Sequence, residues 1–264
     1  MESRIYAEFQ NSAHQTLIEA VYRLTDYQDE EYASLYLNRM AKISEFEKNA
    51  LGKGTLTIEA GRHLALWMTY EDVIRVAQLK SDPKRFEKIR SEVGAKPEEP
   101  IQVIDFFKPG IEEICSILPN RLGRAFLNFA KRRDWNSRAY LGLHLKSTSI
   151  FGYLRLRLLA GLRRWRRGTY KFIEEQANIE TWLKDIQQAI NIDVALAQAI
   201  VECARLVKGY GDTHQRGFQN FTRIREKIIL PALSGVISAN KAVDALSNAS
   251  VAACLLYTSP SPRD

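Results

Sequence analysis

Asp212, His214 and Arg216 stand at alternate positions in the segment Lys208-Gly209-Tyr210-Gly211-Asp212-Thr213-His214-Gln215-Arg216-Gly217. No other stretch of the chain gathers so many side chains that helix packing does not require. A carboxylate two residues from an imidazole can orient the ring and raise its proton affinity, provided the backbone curls. An arginine beside them offers a two-pronged grip on a carboxylate or phosphate. Lys208 adds a further cation and Tyr210 lies between two glycines, so Lys208, Tyr210, Asp212, His214 and Arg216 are the candidate ligand or interface residues. The structural reading of the same residues is that Asp212 caps a helix beginning near Thr213 while Lys208 closes the preceding one, where a cation is favoured. In either case Gly209, Gly211 and Gly217 suit a backbone that turns tightly or is closely approached.

Other catalytic signatures are missing from the sequence. Gly209 and Gly211 begin a dinucleotide-like pattern, but His214 stands where its third glycine would fall, and the Gly-x-x-x-x-Gly-Lys-Ser/Thr phosphate loop is absent. His14, His63, His144 and His214 are scattered, so no metal centre is expected, and no catalytic residue is assigned. His63 shares a helix face with Trp67, which points to packing or capping for that ring. Cys115, Cys203 and Cys254 are far apart and odd in number, which suits a reducing compartment; Cys115 and Cys203 read as buried structural thiols. The N-terminus lacks the apolar core of a signal peptide and no run of eighteen apolar residues occurs, so the cytoplasm is the expected location.

The formal charge of +7 is unevenly spread. Between Arg121 and Lys171 stand fourteen Lys and Arg residues and a single acid, Asp134. Within this region Arg155, Arg157, Arg163, Arg164, Arg166 and Arg167 interleave with leucines to form a basic face. Such a face can dock on an acidic protein surface, neutralise Glu174, Glu175 and Glu180 of the next helix, hold a small anionic ligand or coenzyme, or bind nucleic acid. No nucleic-acid motif surrounds it, which makes that partner the least favoured.

The elements that must position these residues are predominantly helical: a mostly α, irregular multi-helix domain with one short extended segment, Ile101 to Phe107. Apolar periodicity predicts helices at Ala13 to Leu24, around Tyr32 to Tyr36, at Ala41 to Leu51 with Glu45 and Glu47 outside, and at Thr55 to Met68. The tyrosines of the second segment should reach water or an acid with their hydroxyls. Asp29, Asp82-Pro83 and Asp193 read as helix starts. Asp105-Phe106 is a candidate contact with a neighbouring subunit. Phe151 to Phe172 is the most charged helix candidate, weakened by Gly161 and Gly168; Thr169 to Ile190 and the run ending at Val207 come after it. Phe218 to Leu230 carries Arg223 and Arg225 toward solvent. Residues 1–110 and 111–253 form two helical parts expected to pack as one domain. Residues 254–264 are set apart as a non-native tail, since Leu255 to Asp264 fit no helix pattern and look like translated sequencing-adapter read-through of a metagenomic fragment.

The run Arg205-Leu206-Val207-Lys208-Gly209-Tyr210-Gly211-Asp212-Thr213-His214-Gln215-Arg216-Gly217 resembles part of the C-terminal helical region of the indolepyruvate ferredoxin oxidoreductase beta subunit in its long form. Leu24-Thr25-Asp26-Tyr27-Gln28-Asp29 with Tyr32, and Tyr70 to Ala77, look like earlier pieces of the same region. The resemblance covers roughly Ala13 to Leu230. It implies an accessory domain or fragment of an enzyme that oxidatively decarboxylates aryl-pyruvates and passes electrons to ferredoxin. In such enzymes thiamine diphosphate and iron–sulfur clusters belong to the partner subunit, so this chain alone is expected to bind neither. It lacks the gamma-type catalytic domain of the long form. The expected partners are therefore a thiamine-dependent oxidoreductase subunit and, indirectly, ferredoxin. The alternative is a free-standing helical module that binds nucleic acid through the face from Arg155 to Arg167.

Overall fold

Apolar residues three and four apart recur along the chain, and the backbone follows them into helix. The computed structural model describes residues 1–50, 54–107, 110–133, 142–209 and 211–258. The first helices are Glu2–Glu8 (α1), His14–Tyr27 (α2), Glu30–Asn49 (α3) and Thr55–Met68 (α4). Asp29 caps α3 as its position predicts, its carboxylate accepting from the Tyr32 amide at 2.9 Å. α3 is one helix where the sequence suggests two, the charged stretch from Ala41 continuing the tyrosine-rich one. Glu47 does not take the outer position expected of it. It is buried, and its carboxylate accepts from the amides of Leu56 and Thr57 at 3.1 and 2.8 Å and from the Thr57 hydroxyl at 2.6 Å. It thereby caps the first turn of α4 from the neighbouring helix, because Gly54 at the cap position has no side chain to do so. The hydroxyls of Tyr32 and Tyr36 go to backbone carbonyls rather than to water or an acid, Met68 and Gly61 each accepting at 3.0 Å. A Cβ at Gly61 would lie 2.9 Å from the Tyr36 hydroxyl, so that position depends on glycine for close approach.

The middle of the chain forms Val73–Lys80 (α5), Pro83–Glu92 (α6), Ile104–Phe107 (β1), Ile111–Ser116 (α7), Asn120–Arg132 (α8), Leu143–Lys146 (β2) and Ile150–Gly161 (α9). Asp72 caps α5 and Asp82 caps α6, with Pro83 in the first turn. The extended segment found in the sequence is β1; it pairs antiparallel with β2, setting Asp105 opposite Leu145 and Phe106 opposite His144. Of the pair read as a subunit contact, Phe106 is exposed, while Asp105 turns inward. It is buried and takes Lys80 at 2.7 Å and Arg85 at 2.8 Å. Burial alone would raise its carboxyl, but the hydrogen bonds from Lys80 and Ser147 and the charge of Arg85 hold it below the ordinary carboxylate range. The helix expected from Phe151 to Phe172 stops at Gly161, and a tighter 3-10 stretch, Leu162–Gly168, separates α9 from the next α-helix.

The last part comprises Tyr170–Ile190 (α10), Val194–Cys203 (α11), a 3-10 turn at Ala204–Leu206, Asp212–Ile224 (α12), a π-helical turn at Arg225–Ile229, Leu230–Leu233 (α13) and Ala239–Thr258 (α14). Asp193 caps α11 by accepting from the Ala195 amide at 2.6 Å. Trp182 packs its ring 5.6 Å from that of Trp67 and donates its indole N–H to the Ile200 carbonyl at 3.2 Å. Phe221 also meets this aromatic group, 5.6 Å from Trp67. Arg225 leaves the solvent side expected for it and grips the buried Asp185 carboxylate with two nitrogens, at 2.5 and 3.0 Å. The α14 backbone remains helical past Leu255, where no helical pattern is expected.

Two compact units result, one built from Met1–Tyr70 with the chain from Gln176 on, the other from Glu71–Glu175. The division drawn in the sequence at residue 110 falls inside the second unit. The first unit has its core between α2, α3, α4 and α11, filled by Leu17, Tyr36, Met40, Leu64, Trp182 and Ile200. The second contains smaller clusters, one of Ile111, Cys115, Leu127 and Ala130 and another of Ala77, Leu156 and Ala160. Among the described residues no helix is long and apolar enough to cross a membrane. Replacing Glu47 by alanine strips two amides and a hydroxyl of their buried acceptor. The variant is expected to lose about 2–4 kcal/mol of stability, measured as a lower urea midpoint with an unchanged slope.

Candidate functional site

The glycine-rich segment is built by the end of one helix and the start of another. α11 tightens into the Ala204–Leu206 turn, and Lys208 emerges exposed beyond it. Gly209 and Gly211 both adopt positive φ, +89° and +56°, as the glycine content predicts. A side chain at Gly209 would also press on Thr213, whose Cγ2 lies 2.9 Å from the position of an added Cβ. Tyr210 lies outside the described residues, as does the Asp212 side chain. The cap of α12 is Gly211, whose carbonyl accepts from the Gln215 amide at 3.1 Å; Asp212 is the first residue of the helix and not its cap. An acid in that first turn still suits the helix dipole. Both Asp212, which one reading has orienting the imidazole, and His214 belong to α12. His214 is half-buried and Arg216 exposed.

The six arginines expected on one face take three environments. Arg155, Arg157 and Arg164 are exposed, while Arg163 and Arg167 are half-buried. Arg166 leaves the face altogether: it is fully enclosed and holds Asp72 with Nε to Oδ2 at 2.7 Å and Nη2 to Oδ1 at 3.2 Å. Of the acids considered as partners for this cluster, Glu180 takes Arg39 at 2.7 Å, and Glu175 takes Lys171 at 2.6 Å. What accompanies the exposed arginines is apolar. Phe151, Leu154 and Leu158 of α9 are 77%, 51% and 74% exposed, spaced three and four apart along one side of the helix, with Arg155 and Arg157 on its two edges.

A third group is not apparent from the sequence. Glu59 and His63 lie one turn apart on α4, and Glu202, in the last turn of α11, comes to meet them. His63 Nε2 is 4.0 Å from Glu59 Oε2 and 3.9 Å from Glu202 Oε2. Arg62 reaches over the group, 2.5 Å from Glu59 Oε2 and 3.2 Å from His63 Nε2. The Glu59-x-x-x-His63 spacing is visible as one helix face, but nothing in the sequence joins it to Glu202. Burial, assisted by the charges of Arg62 and Arg205 and opposed by Glu59, brings the His63 imidazole down to about 4, so the ring is neutral at neutral pH.

The cysteines fit a structural role. Cys115 and Cys203 are buried, and burial pushes the Cys203 thiol up to about 11 beside the Ser250 hydroxyl. An iron–sulfur cluster held by four thiolates does not fit a chain with three cysteines, two of them enclosed in apolar surroundings.

Residues 13–227 match the model of a family described as a family of unknown function (DUF6537). No curated protein and no solved structure matches the chain.

The lowered His63 basicity has a consequence for stability. A ring that ionises near 4 when folded and near 6.5 when unfolded contributes in full above pH 6.5 and less as the pH falls toward 4. Between pH 7 and pH 5 the protein should lose about 2 kcal/mol of unfolding free energy from this group. Urea titrations at the two pH values check this, with a His63→Gln variant expected to lose most of the difference.

Proposed function

We propose that this chain, which belongs over residues 13–227 to this family of unknown function, is an accessory helical domain of a thiamine-diphosphate-dependent, ferredoxin-linked 2-keto acid oxidoreductase subunit of the indolepyruvate type. Its work is subunit assembly in the cytoplasm, with thiamine diphosphate and the iron–sulfur clusters carried by the partner. The likeness of the Arg205 to Gly217 run to that enzyme's helical region supplies the enzyme class. The observation that supports an assembly role is the outward side of α9, where Phe151, Leu154 and Leu158 stand in water between Arg155 and Arg157.

Contiguous exposed apolar side chains mark a surface that another surface covers. Arginines on its rim select a partner face with carboxylates around an apolar centre, and they speed encounter with it. The competing reading, nucleic-acid binding through the same arginines, can use Arg155, Arg157 and Arg164 against phosphates. Phosphate contacts alone leave the phenylalanine and two leucines without a role.

Co-expression of the chain with an indolepyruvate-type thiamine-binding subunit should yield a complex that survives affinity purification. The double variant Leu154→Glu/Leu158→Glu should weaken it at least about tenfold, the loss of one well-placed apolar anchor alone being worth that much, without lowering the melting temperature of the chain. Retention on nucleic acid with a steep salt dependence, unchanged in the double variant, would instead establish the competing reading.

A further inference from the structure

We propose that Glu59, His63 and Glu202 form a binding site for a divalent transition-metal cation, Zn2+ being the simplest, and that the Arg62 guanidinium holds the cation's place when no metal is bound. One imidazole and two carboxylates are a ligand set that such ions accept, with bonds of about 2.0–2.2 Å. Their donor atoms all lie within 4.8 Å of one another. Neighbouring ligands around a tetrahedral ion sit about 3.3 Å apart by the same bond lengths, so closure asks each side chain for a movement of up to about three quarters of an ångström.

Three features single this group out from an ordinary surface ion pair. His63 is 4% exposed, and its Nε2 faces the two carboxylates instead of solvent. Arginine carries only donors, so the 3.2 Å contact from Arg62 makes Nε2 an acceptor, with its lone pair aimed where a cation already stands. Glu202 adds a second reason for a cation: it lies in the last turn of α11, where the helix dipole disfavours a carboxylate.

Glu202 also lines a groove of about 340 Å³ with Gln198, Arg205, Ser247 and Ser250. Arg62 is itself half-exposed on the surface of α4, so it can swing away from Glu59 without disturbing the core.

The test uses the full chain, stripped with a chelator, dialysed and titrated with ZnCl2 by calorimetry, with Co2+ absorbance reporting coordination geometry. One equivalent of Zn2+ should bind. Glu59→Gln and Glu202→Gln should each weaken uptake at least about tenfold, since each removes a charged ligand. Arg62→Gln, a change of a half-exposed side chain, should act in the opposite direction and tighten it. Circular dichroism of each variant separates lost binding from lost fold. Failure of the folded chain to take up Zn2+, uptake indifferent to Glu59→Gln and Glu202→Gln, or weaker uptake by Arg62→Gln would each overturn the site.

Discussion

The enclosed ion pair between Asp72 and Arg166 sets the terms for the second unit. Asp72 stands where the chain enters that unit and Arg166 shortly before it leaves, and both are removed from solvent. A guanidinium in such surroundings is tolerated only with a carboxylate in good geometry, because breaking a buried pair strands the remaining charge. Asp72 also caps α5, accepting from the Arg75 amide at 2.6 Å. One carboxylate therefore fixes the start of a helix and holds the two ends of the unit's chain together.

The same economy governs the first unit. Glu47 caps α4 from outside it, Asp185 takes Arg225 at the π-helical turn, and Arg39 joins Glu180 and Gln176. Of these charges Glu47, Asp185 and Arg39 are buried, and each serves packing. The exposed side of α9 is different, since its apolar residues contribute nothing to the core of their own unit. This helix shows phenylalanine and leucine to water while its small residues Gly152 and Ala160 face inward, and the proposed assembly role rests on that arrangement. The Glu59–His63–Glu202 group is different in another way, because one buried ring is shared between two acids and a borrowed arginine.

Much of this is legible residue by residue. Asp29, Asp82 and Asp193 announce helix starts, since a short acid before an apolar-periodic run satisfies amides within two or three positions of itself. Gly209 and Gly211 announce positive φ for the same local reason. The departures share one physical origin, a partner distant in sequence. Glu47 reads as an outer residue because its amide donors belong to the following helix. Arg166 reads as one more member of a basic run because Asp72 is far upstream. β1 is readable and β2 is not, since Leu143–Lys146 sits in a basic region with little strand character of its own. In the candidate site the α4 half lies open to view as an i, i+4 pair, while the α11 half depends on a packing that periodicity does not specify. The glycine-rich segment shows the converse. Its glycines read correctly, and the helix start read near Thr213 falls one residue earlier, at Asp212.

The interruption of the first unit by the second bears on how the protein leaves the ribosome. Residues up to Tyr70 emerge with Trp67 lacking its neighbours Trp182 and Phe221, which are synthesised only after the whole of Glu71–Glu175. The inserted unit closes on contacts within one continuous stretch, so it can form while the earlier helices still wait for theirs. In that interval α4 lacks the α11 and Trp182 side chains that cover it in the folded unit.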